Sequence, residues 1–448
     1  MIIFQHSAFN AQSIGTHLGA PEYSYWFVRN AFRPVLERLG IVIPINESAS
    51  EVDRYFRNAA AHDQPSVFFS FNPPHATTLG LQCPTVPVFA WEFDTIPNEV
   101  WLEEPRHDWT AVLRQVPAAV THSQFAVTAI RNALGSDYPV WSIPAPIYQS
   151  HEKRTVSARG WREQTELTLN ALVIDAGALD LSLFSVERSR TDGVNALKTL
   201  VGRYRALGRQ PLKLSLGNVV YTAVFNPVDS RKNWNALVAG FIWAFRDNPE
   251  ATLLIKTTHH DSLLGVLPIL SDLERLGPFK CRVLIVHGLL PAHEYESLID
   301  VTSFIVNSSC GEGQCLPLME FMSAGRPAIT PLHTAMLDYV NDGNSFVIPS
   351  TMRPASWPHD PRLAVRCMLY IVRFGRLVEG FRKSFEVAKA QPQRYAAMSV
   401  AASVALKRFC SDEVVIGRLR ELFQYLERSS SAAQSGSREQ PQRVPATT

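Results

Sequence analysis

The chain has 448 residues, of which 46% are hydrophobic and 19% are charged, a composition typical of globular, core-forming proteins. At roughly 150 residues per domain, this length predicts two or three domains. The 43 Lys and Arg residues nearly balance the 41 Asp and Glu residues, and the resulting net charge of +2 excludes the basic surface expected of a nucleic-acid-binding protein.

The first ten residues, MIIFQHSAFN, predict a buried first strand, because they lack the basic start and long apolar segment of a signal peptide. No apolar run in the sequence approaches the roughly 18 residues that a membrane-spanning helix needs. The six cysteines show no CxxC pair and no regular spacing, which indicates reduced thiols. We therefore expect a cytoplasmic protein without a transmembrane segment, and peripheral contact with a membrane stays open.

Apolar runs alternate with amphipathic runs through residues 1–148, which we take as the first domain. The strand candidates are SVFFSF (66–71), VPVFAWEF (86–93), AAVTHS (118–123) and VWSIPAP (140–146). A helix is predicted over 123–134, with Ser123 as its N-cap. Strands and helices in alternation are typical of a parallel, doubly wound sheet.

The alternation fades over 149–216, a mixed and charged stretch with one helical part, which we interpret as a linker or an insertion. A second alternating set occupies 217–395 and predicts a second doubly wound domain. Its strand candidates are NVVYTAVF (218–225), ATLLIKT (251–257), CRVLIVHG (281–288), SFIVNSS (303–309) and RPAITP (326–331). The fold class is therefore α/β, with two Rossmann-like halves facing each other across a cleft.

Helices are predicted again over 396–428. One of them has a single apolar face, formed by Val415, Leu419, Leu422, Phe423 and Leu426. The last stretch, 429–448, consists of Ser, Gln, Arg and Pro with almost no apolar residues, so we expect it to be disordered.

The stretch SSCGEGQCLPLMEFMSAGRPAIT (308–330) contains two carboxylates on either side of a turn. Gly311 and Gly313 allow a sharp turn and the close approach of a ligand. Pro317 favours the first turn of a helix, and Gly325 suits its end. This pattern places Glu312 on a loop before the helix and the second carboxylate, Glu320, about one turn inside it.

A loop that leads into a helix N-terminus is a suitable phosphate site, and open α/β sheets bind ligands at this edge. Carboxylates repel phosphate, so Glu312 and Glu320 fit best as acceptors for hydroxyl groups on either side of it. A nucleotide sugar has this arrangement, with a diphosphate between ribose and sugar hydroxyls. The alternative interpretation is an ordinary loop with the acidic charge that helix starts often carry.

The spacing Glu312–x7–Glu320 resembles the EX7E signature of retaining glycosyltransferases with the GT-B fold, especially glycosyltransferase family 4. VHGLLPAHEYESLIDVTSFIVNSS (286–309) resembles the strand, base-binding turn and helix of that family, and FNPVDSRKNW (225–234) resembles its phosphate-binding segment. The resemblance is strong over 218–348, weaker over 1–148 and absent from 149–216. It implies two Rossmann-like domains around a cleft, with the acceptor bound by the first domain and the donor by the second.

The resemblance also implies roles for individual residues. Glu320 would hold the ribose hydroxyls, and Glu312 would contact the donor sugar. Lys232, with Arg231, would neutralise the diphosphate and stabilise it as it leaves. The loop glycines Gly311 and Gly313 would lie at the nucleotide sugar.

Two further glycines take roles from the same resemblance. The backbone from Gly288 to Pro291 would meet the base, and Gly19, in THLGAPEYSYW (16–26), would approach the phosphates from the first domain. Where many relatives carry Gly-Arg, this chain has Phe225 and Asn226, so the second phosphate cation is not identified.

Many relatives place a histidine where this chain reads FAWEFDTIP. Glu92 or Asp94 would then touch the donor sugar or the acceptor, unless both are plain loop carboxylates. His259, His260 and Asp261 form a polar run, but adjacent histidines are poor ligands for one ion and the resembled fold needs none. We therefore expect a solvated loop there, no metal and no cofactor.

The function implied is a retaining glycosyltransferase of the hexosyl type, acting in bacterial polysaccharide biosynthesis. Its donor would be a UDP- or GDP-linked sugar and its acceptor a glycan or lipid-linked glycan. The last helices, 396–428, would cross back to brace the first domain. The alternatives are a nucleotide-sugar 2-epimerase on the same fold and a non-catalytic protein that binds a glycan or a partner.

Overall fold

The computed structural model describes residues 1–45, 49–152, 165–185, 190–206, 211–217, 219–358 and 360–436. Two mainly parallel sheets dominate it, each covered by helices on both faces. Large apolar cores lie between the sheets and their helices. None of the helices in these ranges is both long and apolar enough to cross a membrane.

The first sheet has six parallel strands in the order β2-β1-β3-β4-β5-β6. Its strands are β1 (Ile2–Ser7), β2 (Ile41–Pro44), β3 (Ser66–Phe71), β4 (Thr85–Phe89), β5 (Ala119–Thr121) and β6 (Val140–Ser142). The helices of this part are α1 (Ile14–His17), α2 (Ser24–Glu37), α3 (Ala49–Ala60), α4 (Trp109–Leu113), α5 (Gln124–Leu134) and α6 (Tyr148–His151). The predicted N-cap of α5 is confirmed, because the Ser123 side chain accepts a hydrogen bond from the Ala126 N–H at 3.2 Å.

The second sheet has the order β15-β14-β13-β10-β11-β12-β8, in which β8 spans Leu172–Asp175. Its parallel strands are β10 (Val219–Phe225), β11 (Ala251–Thr257), β12 (Arg282–His287), β13 (Phe304–Val306), β14 (Ala328–Pro331) and β15 (Ser345–Ile348). The helices around it are α8 (Trp234–Phe245), α9 (Ser262–Leu276), α10 (Ala292–Val301), α11 (Leu316–Ser323) and α12 (Phe374–Ala390). Strand β11 has its predicted bounds, and all seven of its residues are buried, as expected for a strand covered on both faces of the sheet.

Part of the stretch 149–216 extends the second sheet. Strand β8 (Leu172–Asp175) pairs antiparallel with β12 at its edge. Strands β7 (Thr165–Leu169) and β9 (Leu212–Leu216) form a two-stranded ribbon, and helix α7 (Arg190–Ala206) lies between them in sequence. Within 149–216, residues 153–164, 186–189 and 207–210 lie outside the described part of the chain.

A hairpin of β16 (Ser350–Ser356) and β17 (Val365–Val372) reaches from the second domain to the first. The Met368 N–H donates to Asp94 Oδ1 at 2.8 Å, and Trp357 Nε1 donates to Thr95 Oγ1 at 2.9 Å. Asp94, a candidate sugar or acceptor contact from the sequence, is thus used here to hold the hairpin.

The chain returns to the first domain through α13 (Pro392–Cys410) and α14 (Asp412–Gly436). The five apolar residues of the predicted face, Val415 to Leu426, are all buried. Phe423 contacts Phe69 of β3 with ring centroids 6.0 Å apart. Helix α14 runs to Gly436, past the point at 429 where the sequence indicates a disordered tail, and 437–448 lie outside the described residues.

Candidate functional site

The loop that carries Glu312 follows strand β13 and ends at helix α11. Glu312 is 4% exposed, and its backbone N–H donates to Thr334 Oγ1 at 3.0 Å. A Cβ on Gly313 would lie 2.7 Å from the Ala90 Cβ, closer than real Cβ atoms approach. Gly313 therefore allows the loop to pack directly on the first domain, and its contact with a ligand remains a prediction.

Helix α11 has the form that the sequence predicts. It starts at Leu316, so Pro317 lies in its first turn. Gly325 follows its end with a φ of +73°, the left-handed conformation that glycine adopts most easily. Glu320 therefore lies about one turn inside the helix, and Glu312 lies on the preceding loop, as expected.

Lys232 follows β10, the strand that neighbours β13, and it reaches the same loop. Its Nζ atom donates to both carboxylate oxygens of Glu312, at 2.8 and 2.9 Å. Burial is the largest influence and lowers the pKa of Lys232, but the neighbouring carboxylates, Glu312 first and then Asp229, together outweigh it, and the pKa is raised. The structure thus joins two predicted site residues in a direct, largely buried ion pair.

Arg231 connects the two domains. Its Nε lies 3.0 Å from Glu92 Oε1 of the first domain, and its Nη2 lies 3.0 Å from Asp229 Oδ2. Its Nη1 donates to the Gly311 carbonyl at 2.6 Å. Burial disfavours the guanidinium charge, but Glu92, then Asp229, raise the pKa of Arg231.

Glu92 was a candidate contact for sugar or acceptor, and in this structure its carboxylate faces Arg231. Burial raises the pKa of Glu92, and the charge of Arg231 opposes that shift. We call the five residues that meet here the cleft ion cluster, namely Arg231, Lys232, Asp229, Glu92 and Glu312. It holds three carboxylates and two cations.

The second carboxylate of the motif, Glu320, has a partner that the sequence did not indicate. The Tyr295 hydroxyl, on α10, donates to Glu320 Oε2 at 2.6 Å. Burial raises the pKa of Glu320, and this hydrogen bond works against the rise. Tyr295 lies 25 positions away in sequence, on a helix whose polar residues gave no signal beyond ordinary solvent exposure.

The two remaining predicted glycines lie in different loops, Gly19 after α1 and Gly288 after β12. Gly19 has a φ of +87°, and a Cβ there would lie 2.6 Å from His259 of the second domain. Its carbonyl accepts a hydrogen bond from Asn226 Nδ2 at 2.9 Å, so Gly19 is an interdomain packing position here. Gly288 has a φ of +100° and no heavy atom within 4 Å of its would-be Cβ.

The histidine run after β11 does not form the solvated loop that the sequence predicts, because His259 is 5% exposed and the His260 N–H donates to the Leu18 carbonyl of the first domain at 2.7 Å. The Asp261 N–H donates to His259 Nδ1 at 3.0 Å, and the His259 and His260 rings stack with centroids 4.6 Å apart. The described residues contain no group of three or more His, Cys, Asp or Glu placed to hold a metal ion.

A comparison of the sequence with models of known protein families gives no match, and a search of curated protein sequences gives no significant match. Among solved structures, sucrose-phosphate synthase from Thermosynechococcus elongatus aligns with a TM-score of 0.53 and 13% identity. The alignment covers 96% of this chain and 99% of that one. This chain has the GT-B fold. At that identity the likeness shows the fold alone.

Two other solved structures align less closely. HepE from Anabaena, in complex with UDP, has a TM-score of 0.49 at 13% identity, over 94% of this chain and 99% of that one. A variant of S. aureus TarM, also in complex with UDP, has a TM-score of 0.47 at 9% identity over 80% of this chain. The alignment covers 55% of TarM, so this chain spans about half the length of that protein.

Proposed function

We propose that this GT-B protein is a retaining glycosyltransferase that moves a sugar from a UDP- or GDP-linked donor to a glycan or lipid-linked glycan. The observation that carries the proposal is the pair Lys232–Glu312, which lies at the carboxyl ends of neighbouring strands and beside Arg231, the partner of Glu92 in the other domain. In an open α/β sheet, that edge is where ligands bind.

Each side chain has a task in this proposal. Lys232 stabilises the diphosphate as the bond from the sugar to the phosphate oxygen breaks and negative charge grows there. Glu320 accepts hydrogen bonds from the ribose, and Glu312 accepts them from the donor sugar. A hydroxyl of the acceptor forms the new bond to the sugar carbon, and its proton leaves with the departing diphosphate.

The close contact between the two domains supports the proposal of a transferase. Gly313 packs on Ala90, and Arg231 pairs with Glu92, so the donor side and the first domain meet with little space between them. Such closure keeps water from hydrolysing an activated sugar. The further proposal of a role in bacterial polysaccharide biosynthesis rests on the sequence resemblance.

The test is incubation of the protein with a panel of UDP- and GDP-sugars and glycan acceptors, followed by NMR of the products. We expect nucleotide release with transfer, and retention of the anomeric configuration. The Lys232→Ala variant is the control for contaminating activity. Inversion at the sugar C2 without transfer would instead identify an epimerase, and binding of none of the donors would favour the non-catalytic alternative.

A further inference from the structure

The cleft ion cluster has a charge balance that conflicts with phosphate binding. Its three carboxylates outnumber its two cations, so the cluster is formally negative. A diphosphate placed beside it adds more negative charge, and like charges brought together cost several kcal/mol. Binding of a diphosphate therefore requires that one carboxylate move away from the cation that it contacts.

Arg231 is the cation that is less able to turn toward a ligand. Its guanidinium nitrogens contact Glu92 and Asp229 and donate to the Gly311 carbonyl, and Nη1 also lies 3.7 Å from Glu312 Oε2. These contacts on three sides hold a planar group whose donors have fixed directions. Moving Arg231 would break the contact between the domains and the support of the loop before Glu312.

Lys232 is the cation that can exchange partners. Both of its described bonds through Nζ go to a single carboxylate, that of Glu312, and its flexible stem lets the ammonium turn. An ammonium has three N–H donors, so two of them are used on Glu312. The carboxylate thus occupies the place of an anionic ligand on Lys232.

We propose that Glu312 is an internal substitute for the diphosphate, and that a nucleoside diphosphate must displace it from Lys232. The freed carboxylate finds new hydrogen-bond donors only when the ligand also carries a sugar, whose hydroxyls donate to it. Without a sugar, Glu312 keeps only the longer 3.7 Å contact with Arg231 Nη1, which already donates to the Gly311 carbonyl, so the carboxylate returns to Lys232. The site therefore discriminates in favour of the sugar-bearing donor and helps to expel the nucleoside diphosphate product. This inference rests on the proposed function, because it assumes a nucleotide-sugar site.

The experiment measures the affinities of wild type and Glu312→Gln for UDP, GDP, their glucose conjugates, and uridine and guanosine without phosphate. Calorimetry gives each Kd. We expect Glu312→Gln to bind the nucleoside diphosphate about tenfold more tightly. Its affinity for the free nucleoside should equal that of wild type. Its affinity for the sugar conjugate should rise much less than its affinity for the diphosphate, because the sugar hydroxyls no longer have a carboxylate to accept their hydrogen bonds.

Three controls separate charge from other effects. Glu312→Asp keeps the charge and should not gain affinity for UDP or GDP. Glu37→Gln removes an exposed carboxylate of a surface pair with Arg33, and it should leave every Kd unchanged. Melting curves check folding, and Glu312→Ala removes the same charge if Glu312→Gln does not fold.

The outcomes are distinct. If wild type binds UDP or GDP but no charge-removing variant binds it more tightly, the substitution role of Glu312 is overturned while the proposed function stands. If Glu312→Gln raises the affinity for the diphosphate and for the sugar conjugate equally, Glu312 does not discriminate between these two ligands. If wild type binds none of the nucleotides or nucleotide sugars, both the proposed function and this inference fail.

Discussion

The Tyr295 hydroxyl donates a 2.6 Å hydrogen bond to Glu320 Oε2 and so orients the second carboxylate of the motif. If Glu320 holds ribose hydroxyls, Glu320→Ala should weaken nucleotide binding by about 1.5–3 kcal/mol, the value of a hydrogen bond to a charged group. Calorimetry with UDP and GDP measures this loss. Tyr295→Phe should cause a smaller loss, because the carboxylate remains and loses only its orienting partner.

The control ligand for Glu320 is the 2′,3′-dideoxy analogue of each nucleotide. It lacks the ribose hydroxyls, so its affinity should hardly respond to Glu320→Ala. A folded Glu320→Ala variant that binds UDP and GDP as tightly as wild type would show that this carboxylate does not contact the ribose.

Lys232→Ala should lower turnover more than it weakens donor binding. Negative charge on the leaving diphosphate grows in the transition state, so an ammonium beside it acts mainly there. Steady-state kinetics, with kcat and KM measured separately, test this expectation. Lys280→Ala is the matched control, since that lysine forms an exposed surface pair with Asp247. An increase in KM with kcat unchanged would mean that Lys232 only binds the donor.

The Arg231–Glu92 ion pair should couple the two domains energetically. A double-mutant cycle with Arg231→Gln and Glu92→Gln should give a coupling energy above about 1 kcal/mol, because Arg231→Gln alone leaves the largely buried Glu92 carboxylate without the cation that it contacts. The exposed pair Arg33–Glu37 is the comparison, with an expected value of about 0.3–0.5 kcal/mol. Denaturant unfolding measures both. Similar coupling energies for the two pairs would mean that the Arg231–Glu92 pair does not couple the two domains.

Removal of helix α14 should destabilise the protein severely. Ending the chain at Cys410 removes Val415, Leu419 and Leu422, which are at most 1% exposed, and burial of each such side chain contributes roughly 1.5–3 kcal/mol. We expect a low melting temperature and low soluble yield. Ending the chain after Arg428 should change melting little, and a large drop for that longer version would show that the residues after 428 contribute to stability.

Lys256 should make stability depend on pH in the alkaline range. The residue is 3% exposed in β11, and burial lowers its pKa to about 7. Between that pH and the unfolded value near 10.4, only the unfolded chain binds the proton, so stability rises with pH in this window. The slope is about 1.4 kcal/mol for each unit of pH, and the contribution is constant below pH 7.

Lys256→Met tests this, because methionine has a similar shape and does not titrate. The variant should be more stable than wild type at pH 7, and the difference should shrink as the pH rises toward 10. Denaturant unfolding at several pH values gives the difference directly, since titration of other groups is common to both proteins. A difference that does not change with pH would contradict the lowered pKa.

Local features of the fold and site could be predicted from the sequence because they depend on neighbouring residues. The predominantly apolar stretch 251–257 is strand β11, and Ser123 caps α5 with its own side chain. Gly325 follows the end of α11, where the chain takes a left-handed φ that glycine adopts easily and that would strain most other residues. The same local signals place Glu312 on a loop and Glu320 in the helix after it.

The contacts of these carboxylates were decided only by the tertiary structure. Glu312 meets Lys232 across 80 positions of sequence, and Glu320 meets Tyr295 across 25. The pairing of Arg231 with Glu92 depends further on how two separately folded sheets meet. No local preference encodes such distances, because they follow from strand order and domain packing. The sequence therefore determined the strands, the loop, the helix and the types of charge near the cleft, while tertiary packing decided which charges face each other and that carboxylates outnumber cations there.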